Sequence, residues 1–265
     1  MGKTKIDHYF QEIQQRNENL FVPYIVAGDG GLETLNDRIQ FLEESGAAAI
    51  ELGIPFSDPV ADGPTIQEAS IRALEHGTSL RKVLDTIEPK KEHRHVPIVL
   101  MTYINPIFAY GVEQFAADCK RVGVDGIIVP DIPMEEEELI APSLAANDIA
   151  YIRLAALTST EDRLKKIAAQ SEGFLYAVSV TGTTGERANH DARVSDYLQT
   201  LKKFSNVPVL AGFGVANAIQ AKELSSHGDG VIVGSKIVQL FHEEKATEVR
   251  TLIQESLPKK QRLTN

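Results

Sequence analysis

One pattern occurs eight times along the 265-residue chain: a short apolar run typical of a buried parallel strand, followed by a segment with helical spacing. Eight successive strand–helix units leave no sheet edge exposed if the strands close into a barrel. The sequence therefore predicts an α/β fold, an eight-fold parallel (β/α)8 TIM barrel, with residues 1–265 forming a single domain. The predicted strands are Phe21–Val26, Ala48–Leu52, Pro97–Tyr103, Gly126–Val129, Ala150–Leu154, Phe174–Ser179, Val207–Ala211 and Gly230–Val233.

Two further helices flank these units. Ile6, Tyr9, Phe10 and Ile13 recur at helical spacing, which predicts an N-terminal extra helix that closes one barrel end. A short extra helix is predicted after strand eight, over 235–242. The alternative fold is an open doubly wound sheet, but no GxGxxG motif follows the first strand, and Gly-rich turns follow strands six, seven and eight instead.

Composition limits the class of partner and the chemistry. A net charge of −10 argues against nucleic acid or an anionic membrane surface as a partner. The single cysteine, Cys119, excludes an internal disulfide, and the polar start of the chain and the lack of a long apolar run lead us to expect a cytoplasmic protein. The predicted strands contain no lysine for Schiff-base chemistry, and the scattered histidines lead us to expect no metal site.

Two carboxylates bracket a Pro/Gly/Asp-rich connection between strand two and a helix that opens at Thr65. Glu51 lies at the end of an apolar run, where an ionised carboxylate without a partner costs several kcal/mol. Asp62 lies in the connection itself. Glu51 could instead face water, and Asp62-Gly63 could be an ordinary turn. As a pair at strand ends they are the candidate catalytic residues for acid/base chemistry.

Glycines after the last three strands predict a phosphate site, because backbone amides in Gly-rich turns and at a helix N-terminus bind anions. Each glycine alone could be only a turn residue. The candidate phosphate-binding residues are Thr184, Gly185, Gly214, Gly234 and Ser235. A flat apolar pocket is expected beside them. Its candidate walls are Tyr24, Met101, Tyr103, Leu154, Tyr176 and Phe213.

The connection carries a long irregular motif, ELGIPFSDPVADGPT from Glu51 to Thr65, which resembles the signature of the tryptophan synthase alpha chain family. VPYIVAGD, MTYINP, DGIIVPDIP, YAVSVTG, GFGV and VIVGS extend the resemblance over nearly the whole chain. It implies the same barrel and lysis of indole-3-glycerol phosphate to indole and glyceraldehyde 3-phosphate, with no cofactor in this chain. It also implies that Glu51 shuttles protons between indole C3 and a glycerol hydroxyl, and that Asp62 accepts the indole N–H.

The resemblance implies a partner as well, a beta chain that carries pyridoxal phosphate, in an α2β2 heterotetramer that serves tryptophan biosynthesis. The alternatives are a stand-alone lyase that releases indole, and a mainly activating or scaffolding subunit with weak lysis. Phe56 and Phe108 could also fold back as small loop cores. The candidate docking surface consists of Pro55, Phe56, Ser57, Asp58, Pro59, Asn105, Pro106, Phe108, Asp131 and Pro133.

The segment Val180–Arg193 is long for a connection between a strand and a helix, so it is a candidate lid, with Thr184 and Arg187 as its working residues. Four positions depart from the family pattern and are expected to affect loop mobility and substrate fit rather than the reaction. They are Gly30, Arg153, Leu157 and Thr183.

Overall fold

The computed structural model describes residues 2–179 and 192–257, and its nine strands form one parallel sheet. The strands are β1 (Leu20–Val26), β2 (Ile50–Gly53), β3 (Ile98–Met101), β4 (Gly126–Ile128), β5 (Ala150–Tyr151), β6 (Arg153–Ala156), β7 (Leu175–Val178), β8 (Val209–Gly212) and β9 (Gly230–Val233). Their order is β5-β4-β3-β2-β1-β9-β8-β7-β6. The first and last strands of this order are neighbours in the chain, so the sheet closes into the predicted barrel.

The predicted fifth strand is divided at Ile152. Its first half, β5, pairs with β4, and its second half, β6, pairs with β7. Ile152 N–H still donates to Ile127 of β4 at 3.0 Å, whereas Arg153 N–H turns to the Ser171 hydroxyl at 3.2 Å. The change of partner at this position is what joins the two edges of the sheet.

Alternate side chains of each strand form two apolar layers, as expected for period-two strands covered on both faces. Val22, Val99 and Ile152 belong to the layer inside the barrel. Phe21, Ile98 and Tyr151 belong to the layer between strands and outer helices. Glu51 follows the same alternation and points inward.

The N-terminal helix α1 (Lys3–Gln15) closes the end of the barrel where the strands begin. Its Ile6, Phe10 and Ile13 are buried, and the Phe10 ring lies 6.0 Å from that of Phe174. A Cβ placed on Gly126 would lie 3.1 Å from Ile6 Cδ1, so α1 reaches the barrel interior. The predicted N-terminal helix that closes one end of the barrel is confirmed.

The remaining α-helices pack around the sheet. They are α2 (Leu35–Ser45), α3 (Pro64–Glu75), α4 (Leu80–Ile87), α5 (Ile104–Tyr110), α6 (Val112–Val122), α7 (Ala141–Ala146), α8 (Glu161–Gln170), α9 (Ala192–Phe204), α10 (Ala218–His227), α11 (Ser235–His242) and α12 (Ala246–Ser256). Short 3-10 helices cover Leu32–Thr34, Glu88–His93 and Met134–Leu139. The extra helix after the last strand is thus confirmed as α11. That residues 1–265 form one domain stays a prediction, since 258–265 lie outside the described part of the chain.

One helix start differs from the prediction in a way that bears on the site. Helix α3 begins at Pro64, with Gly63 rather than Thr65 at its N-cap. Proline is favoured at the first helical position because its fixed φ suits the helix. Its lack of an N–H costs nothing there, since an N–H at this position has no acceptor within the helix. The helix therefore starts two residues after Asp62 and limits the positions that this carboxylate can reach.

Candidate active site

Glu51 lies on β2 inside the barrel, opposite Tyr24 of β1 and Val99 of β3. Its side chain is fully buried, and neither carboxyl oxygen has a hydrogen-bond partner among the described residues. Burial raises the pKa of Glu51 to about 8, and the nearby Asp62 carboxylate adds to this effect. The group is therefore mostly protonated at neutral pH and is able to give a proton.

Asp62 lies in the loop between β2 and α3 and faces the same space. The Tyr103 hydroxyl donates to Asp62 Oδ2 at 2.9 Å and accepts from the Ala61 N–H at 3.1 Å. Burial raises the pKa of Asp62 to about 6, against the opposing effect of the Tyr103 hydrogen bond. Asp62 is therefore mostly ionised at neutral pH, while Glu51 keeps its proton.

Short local contacts hold the loop that carries Asp62. Asp62 N–H donates to the Pro59 carbonyl at 3.1 Å, and Gln67 Nε2 donates to the Asp62 carbonyl at 2.8 Å. The Phe56 ring packs on Tyr103 with centroids 5.3 Å apart. Tyr103 was predicted as a pocket wall, and its role as the hydrogen-bond partner of Asp62 was missed. Only its position at the end of strand three, beside strand two, hinted at this contact.

Two of the candidate phosphate loops lie in the described part of the chain. Gly214 has φ +64°, a left-handed conformation, and a Cβ there would point into open space. Gly234 is the N-cap of α11, and the hydroxyl of Ser235 is buried without a hydrogen-bond partner among the described residues. Free amides and an unpaired hydroxyl at one helix start suit an anion. Thr183, Thr184, Gly185 and Arg187 lie outside the described residues, as does most of the candidate lid, so those assignments stay predictions.

Apart from Tyr103, which hydrogen-bonds to Asp62, the candidate pocket walls divide into two groups. Tyr24, Met101, Leu154 and Tyr176 belong to the interior clusters. Phe213 belongs to the outer layer, with its ring edge-on to Tyr197 of α9 at 6.3 Å. Strand alternation explains this, because Gly212 faces inward and the next residue faces outward. The interior group surrounds the space beside Glu51, and all six wall assignments stay predictions.

Two departures from the family pattern have local physical reasons. Arg153 faces the outer helices, where its guanidinium lies 2.7 Å from the Glu137 carboxylate. Gly30 has φ +87°, which proline cannot adopt, and a Cβ there would collide with Arg38. Leu157 packs against the outer core. None of these three positions places a side chain in the barrel interior.

The candidate docking residues surround the Asp62 loop unevenly. Phe108 is 48% exposed, whereas Pro55 is buried and Phe56 packs on Tyr103. Asp131 Oδ1 accepts the Ile104 N–H at 3.0 Å and so holds the start of α5. The exposed members are Ser57, Asp58, Asn105, Phe108 and Pro133. Val60, 82% exposed beside them, was not in the predicted set.

The barrel has a fully buried carboxyl on one strand, a half-buried carboxyl in the loop that follows it, and open amides at a nearby helix start. This combination defines a class: barrel enzymes that perform acid/base chemistry on a phosphorylated substrate. Among the described residues no helix is long and apolar enough to cross a membrane, and no cluster of three metal-ligating side chains occurs. Comparisons with known proteins identify the family within this class.

The family model for the tryptophan synthase alpha chain matches residues 10–264. The tryptophan synthase alpha chain of Oceanobacillus iheyensis is 61% identical over 98% of this chain and 99% of its own length, and that of Bacillus cereus is 46% identical over 98% and 100%. A tryptophan synthase structure from Mycobacterium tuberculosis superposes with TM-score 0.88 at 33% identity, covering 95% of this chain and 96% of that one. The subunit alpha of Legionella pneumophila gives TM-score 0.86 at 30% identity and 97% coverage of both chains.

The chain belongs to the tryptophan synthase alpha chain family. This confirms the resemblance, and with it the barrel fold and the lyase class, since the family cleaves indole-3-glycerol phosphate in tryptophan biosynthesis.

Proposed function

We propose that this chain cleaves indole-3-glycerol phosphate to indole and glyceraldehyde 3-phosphate, with Glu51 and Asp62 as the catalytic residues. The observation that carries the proposal is the Glu51 carboxyl: fully buried, without a hydrogen-bond partner among the described residues, and with a pKa near 8. A fold that needed this group only for stability would pair it. A general acid, in contrast, needs its proton near neutral pH.

Glu51 transfers protons in two steps. It first protonates C3 of the indole ring, which leaves the ring electron-poor and the carboxyl ionised. It then takes the proton of the hydroxyl on the carbon attached to C3. The bond between that carbon and the ring breaks, its electron pair returns to the indole, and the hydroxyl oxygen becomes the aldehyde oxygen. Glu51 ends protonated, as it began.

Asp62 accepts the indole N–H and stabilises the positive charge that develops on the ring. This role requires the ionised form, which a pKa near 6 provides at neutral pH. The phosphate is held by the amides at the start of α11 and by Gly214, together with Gly185 and Thr184 beyond the described residues. One end of the substrate is thereby fixed while the carboxyls act on the other.

The chain acts as the alpha subunit beside a beta chain that carries pyridoxal phosphate, in an α2β2 assembly in the cytoplasm, and it binds no cofactor itself. Exposed Val60 and Phe108 beside the site support a docking surface there. The path from Phe56 through Tyr103 to Asp62 supports coupling, because a partner that fixes Phe56 also fixes the hydroxyl that holds the carboxylate.

Indole release from the substrate, measured for the purified chain with and without the beta chain, tests the proposal. We expect slow release alone and faster release in the complex. No indole from either preparation would refute the lyase, and a full rate without any complex would refute the partnership. Release that stays weak even in the complex would favour the scaffolding alternative.

The docking surface is tested separately with two exposed apolar side chains. Phe108→Ala should weaken binding of the beta chain by about tenfold, since exposed aromatic residues carry much of the binding energy of an interface. Ile71→Ala, at a residue 56% exposed on α3, is the matched control and should leave the affinity unchanged. Equal effects of the two variants on the affinity would show that the docking surface does not lie around Phe108.

A further inference from the structure

Tyr24 lies between the two halves of the site. It pairs in register with Glu51, so both side chains enter the barrel at one level. The ring leans toward the mouth, where a Cβ placed on Gly53 would collide with the Tyr24 hydroxyl oxygen. On the other side, a Cβ placed on Gly234 would lie 3.6 Å from Tyr24 Cδ1. The ring thus spans the distance from the strand that carries Glu51 to the start of α11.

The Tyr24 side chain is 7% exposed, and its hydroxyl makes no hydrogen bond to the described residues. Tyr103 differs, because its hydroxyl donates to Asp62 and accepts from Ala61. A hydroxyl that no described protein group engages, in a side chain that faces the site, is available to an oxygen of a bound ligand.

The surroundings of the Tyr24 hydroxyl determine what it is able to do. Burial raises the pKa of Tyr24 well above its ordinary value, and the Asp62 and Glu51 carboxylates raise it further. The hydroxyl therefore keeps its proton whenever the enzyme works. It is available as a hydrogen-bond donor but not as a base.

A substrate with its indole between Glu51 and Asp62 and its phosphate at α11 must run its glycerol chain past Tyr24. We propose that the Tyr24 hydroxyl donates a hydrogen bond to the oxygen on the carbon whose bond to the indole breaks. This inference rests on the function proposed above. Glu51 removes the proton of that same oxygen, which becomes the aldehyde oxygen, while Tyr24 keeps its own proton. The hydrogen bond strengthens as negative charge gathers on the oxygen during cleavage.

Tyr24→Phe removes only the hydroxyl and tests the proposal in the complex with the beta chain. We expect kcat/KM to fall by about tenfold, the effect of losing one hydrogen bond that tightens in the transition state. Tyr9→Phe is the matched control, because Tyr9 lies on α1 at the opposite end of the barrel. This variant should behave as the wild type.

Ligand binding separates a hydrogen bond from mere packing of the ring. In a Glu51→Gln background, which prevents turnover, Tyr24→Phe should weaken indole-3-glycerol phosphate binding by about fivefold. It should not change the affinity for indole joined to a propyl phosphate chain, which lacks the hydroxyls. Equal weakening for both ligands would overturn the proposal, as would a wild-type kcat/KM for Tyr24→Phe. Failure of the wild-type complex to form indole would instead refute the proposed function.

Discussion

Two carboxyl groups are equally buried at opposite ends of this barrel, but only one of them has hydrogen-bond partners among the described residues. Asp125, 1% exposed at the end closed by α1, accepts the Gly2 N–H at 2.7 Å and the Ile98 N–H at 3.0 Å, and it lies 3.4 Å from Lys5 Nζ. Glu51, 0% exposed toward the mouth, has no such partner among the described residues. Burial alone therefore does not distinguish the candidate catalytic carboxyl from the structural one, whereas hydrogen bonding does.

The donors around Asp125 come from two separate parts of the chain. Gly2 and Lys5 belong to the N-terminal segment, and Ile98 begins β3. The Asp125 carboxylate thus holds the N-terminal segment, with helix α1, against the barrel. At the mouth, the Tyr103 hydroxyl is the only group among the described residues that donates a hydrogen bond to the side-chain carboxyl of either catalytic candidate, and it donates to Asp62. Three substitutions test this contrast.

Glu51→Gln should cause the largest change. Glutamine neither gives nor takes the proton, so kcat/KM for indole formation should fall by roughly 1000-fold or more. Assays in the complex with the beta chain measure this, and binding of a glycerol phosphate analogue should persist. A variant that retains wild-type turnover would remove Glu51 from the mechanism.

The same variant should also alter the dependence of stability on pH. Because the pKa of Glu51 is raised to about 8 in the fold, the folded state binds more protons than the unfolded chain between about pH 4.5 and 8. Wild-type stability should therefore fall with rising pH in that window, by on the order of 3 kcal/mol relative to Glu51→Gln. Urea unfolding of both proteins at pH 5 and pH 8 measures the difference, and parallel pH curves would contradict it.

Asp125→Asn should show the opposite profile, with reduced stability and a preserved reaction. An amide loses the charge and places a donor where donors already point, so unfolding free energy should drop by about 2 kcal/mol. Asp7→Asn is the control, since the half-exposed Lys3–Asp7 pair should contribute less than about 0.5 kcal/mol. Activity per folded molecule should match the wild type, and a selective loss of kcat would show that the contrast is wrong.

Tyr103→Phe should give the smallest effect. Its hydrogen bond opposes the rise in the pKa of Asp62, so its removal should move that pKa above about 6. The fraction of ionised Asp62 then falls at pH 6.5. We expect kcat to drop severalfold at this pH, a loss of about 1 kcal/mol of transition-state stabilisation, and to recover at higher pH. Tyr110→Phe, which breaks the Tyr110–Asp118 hydrogen bond of 2.8 Å on the outer surface, is the control. If the acidic limb of the curve of kcat against pH is the same in Tyr103→Phe and the wild type, Tyr103 does not have this role.

Local pattern was sufficient for much of this architecture. The strand Gly230–Val233 and the helix Ser235–His242 agree with the predicted bounds, because apolar runs and a Gly-Ser helix start are local signals. Glu51 was found by the same logic, as an acidic residue in an apolar run. Pro142 lies in the first turn of α7, where proline is tolerated.

Features that depend on contacts between residues far apart in the sequence were not predictable. The division of strand five at Ile152 depends on which neighbour each half meets, and no local signal carries that information. The contact between Tyr103 and Asp62 links residues 41 positions apart. Arg153 was unexpected in a strand until Glu137 was found opposite it. Helix α5 was missed because its seven residues are too few to establish a period.

The pairing of β1 with β9 has a consequence for synthesis of the protein. Leu20 is aligned with Gly230, so the first strand obtains its second neighbour only after nearly the whole chain has left the ribosome. Until then β1 has one unpaired edge, which is a site where other chains are able to add. Such distant pairing also makes barrel closure slow compared with formation of the local strand–helix units. We therefore expect nascent chains that stall before residue 230 to be substrates for chaperones.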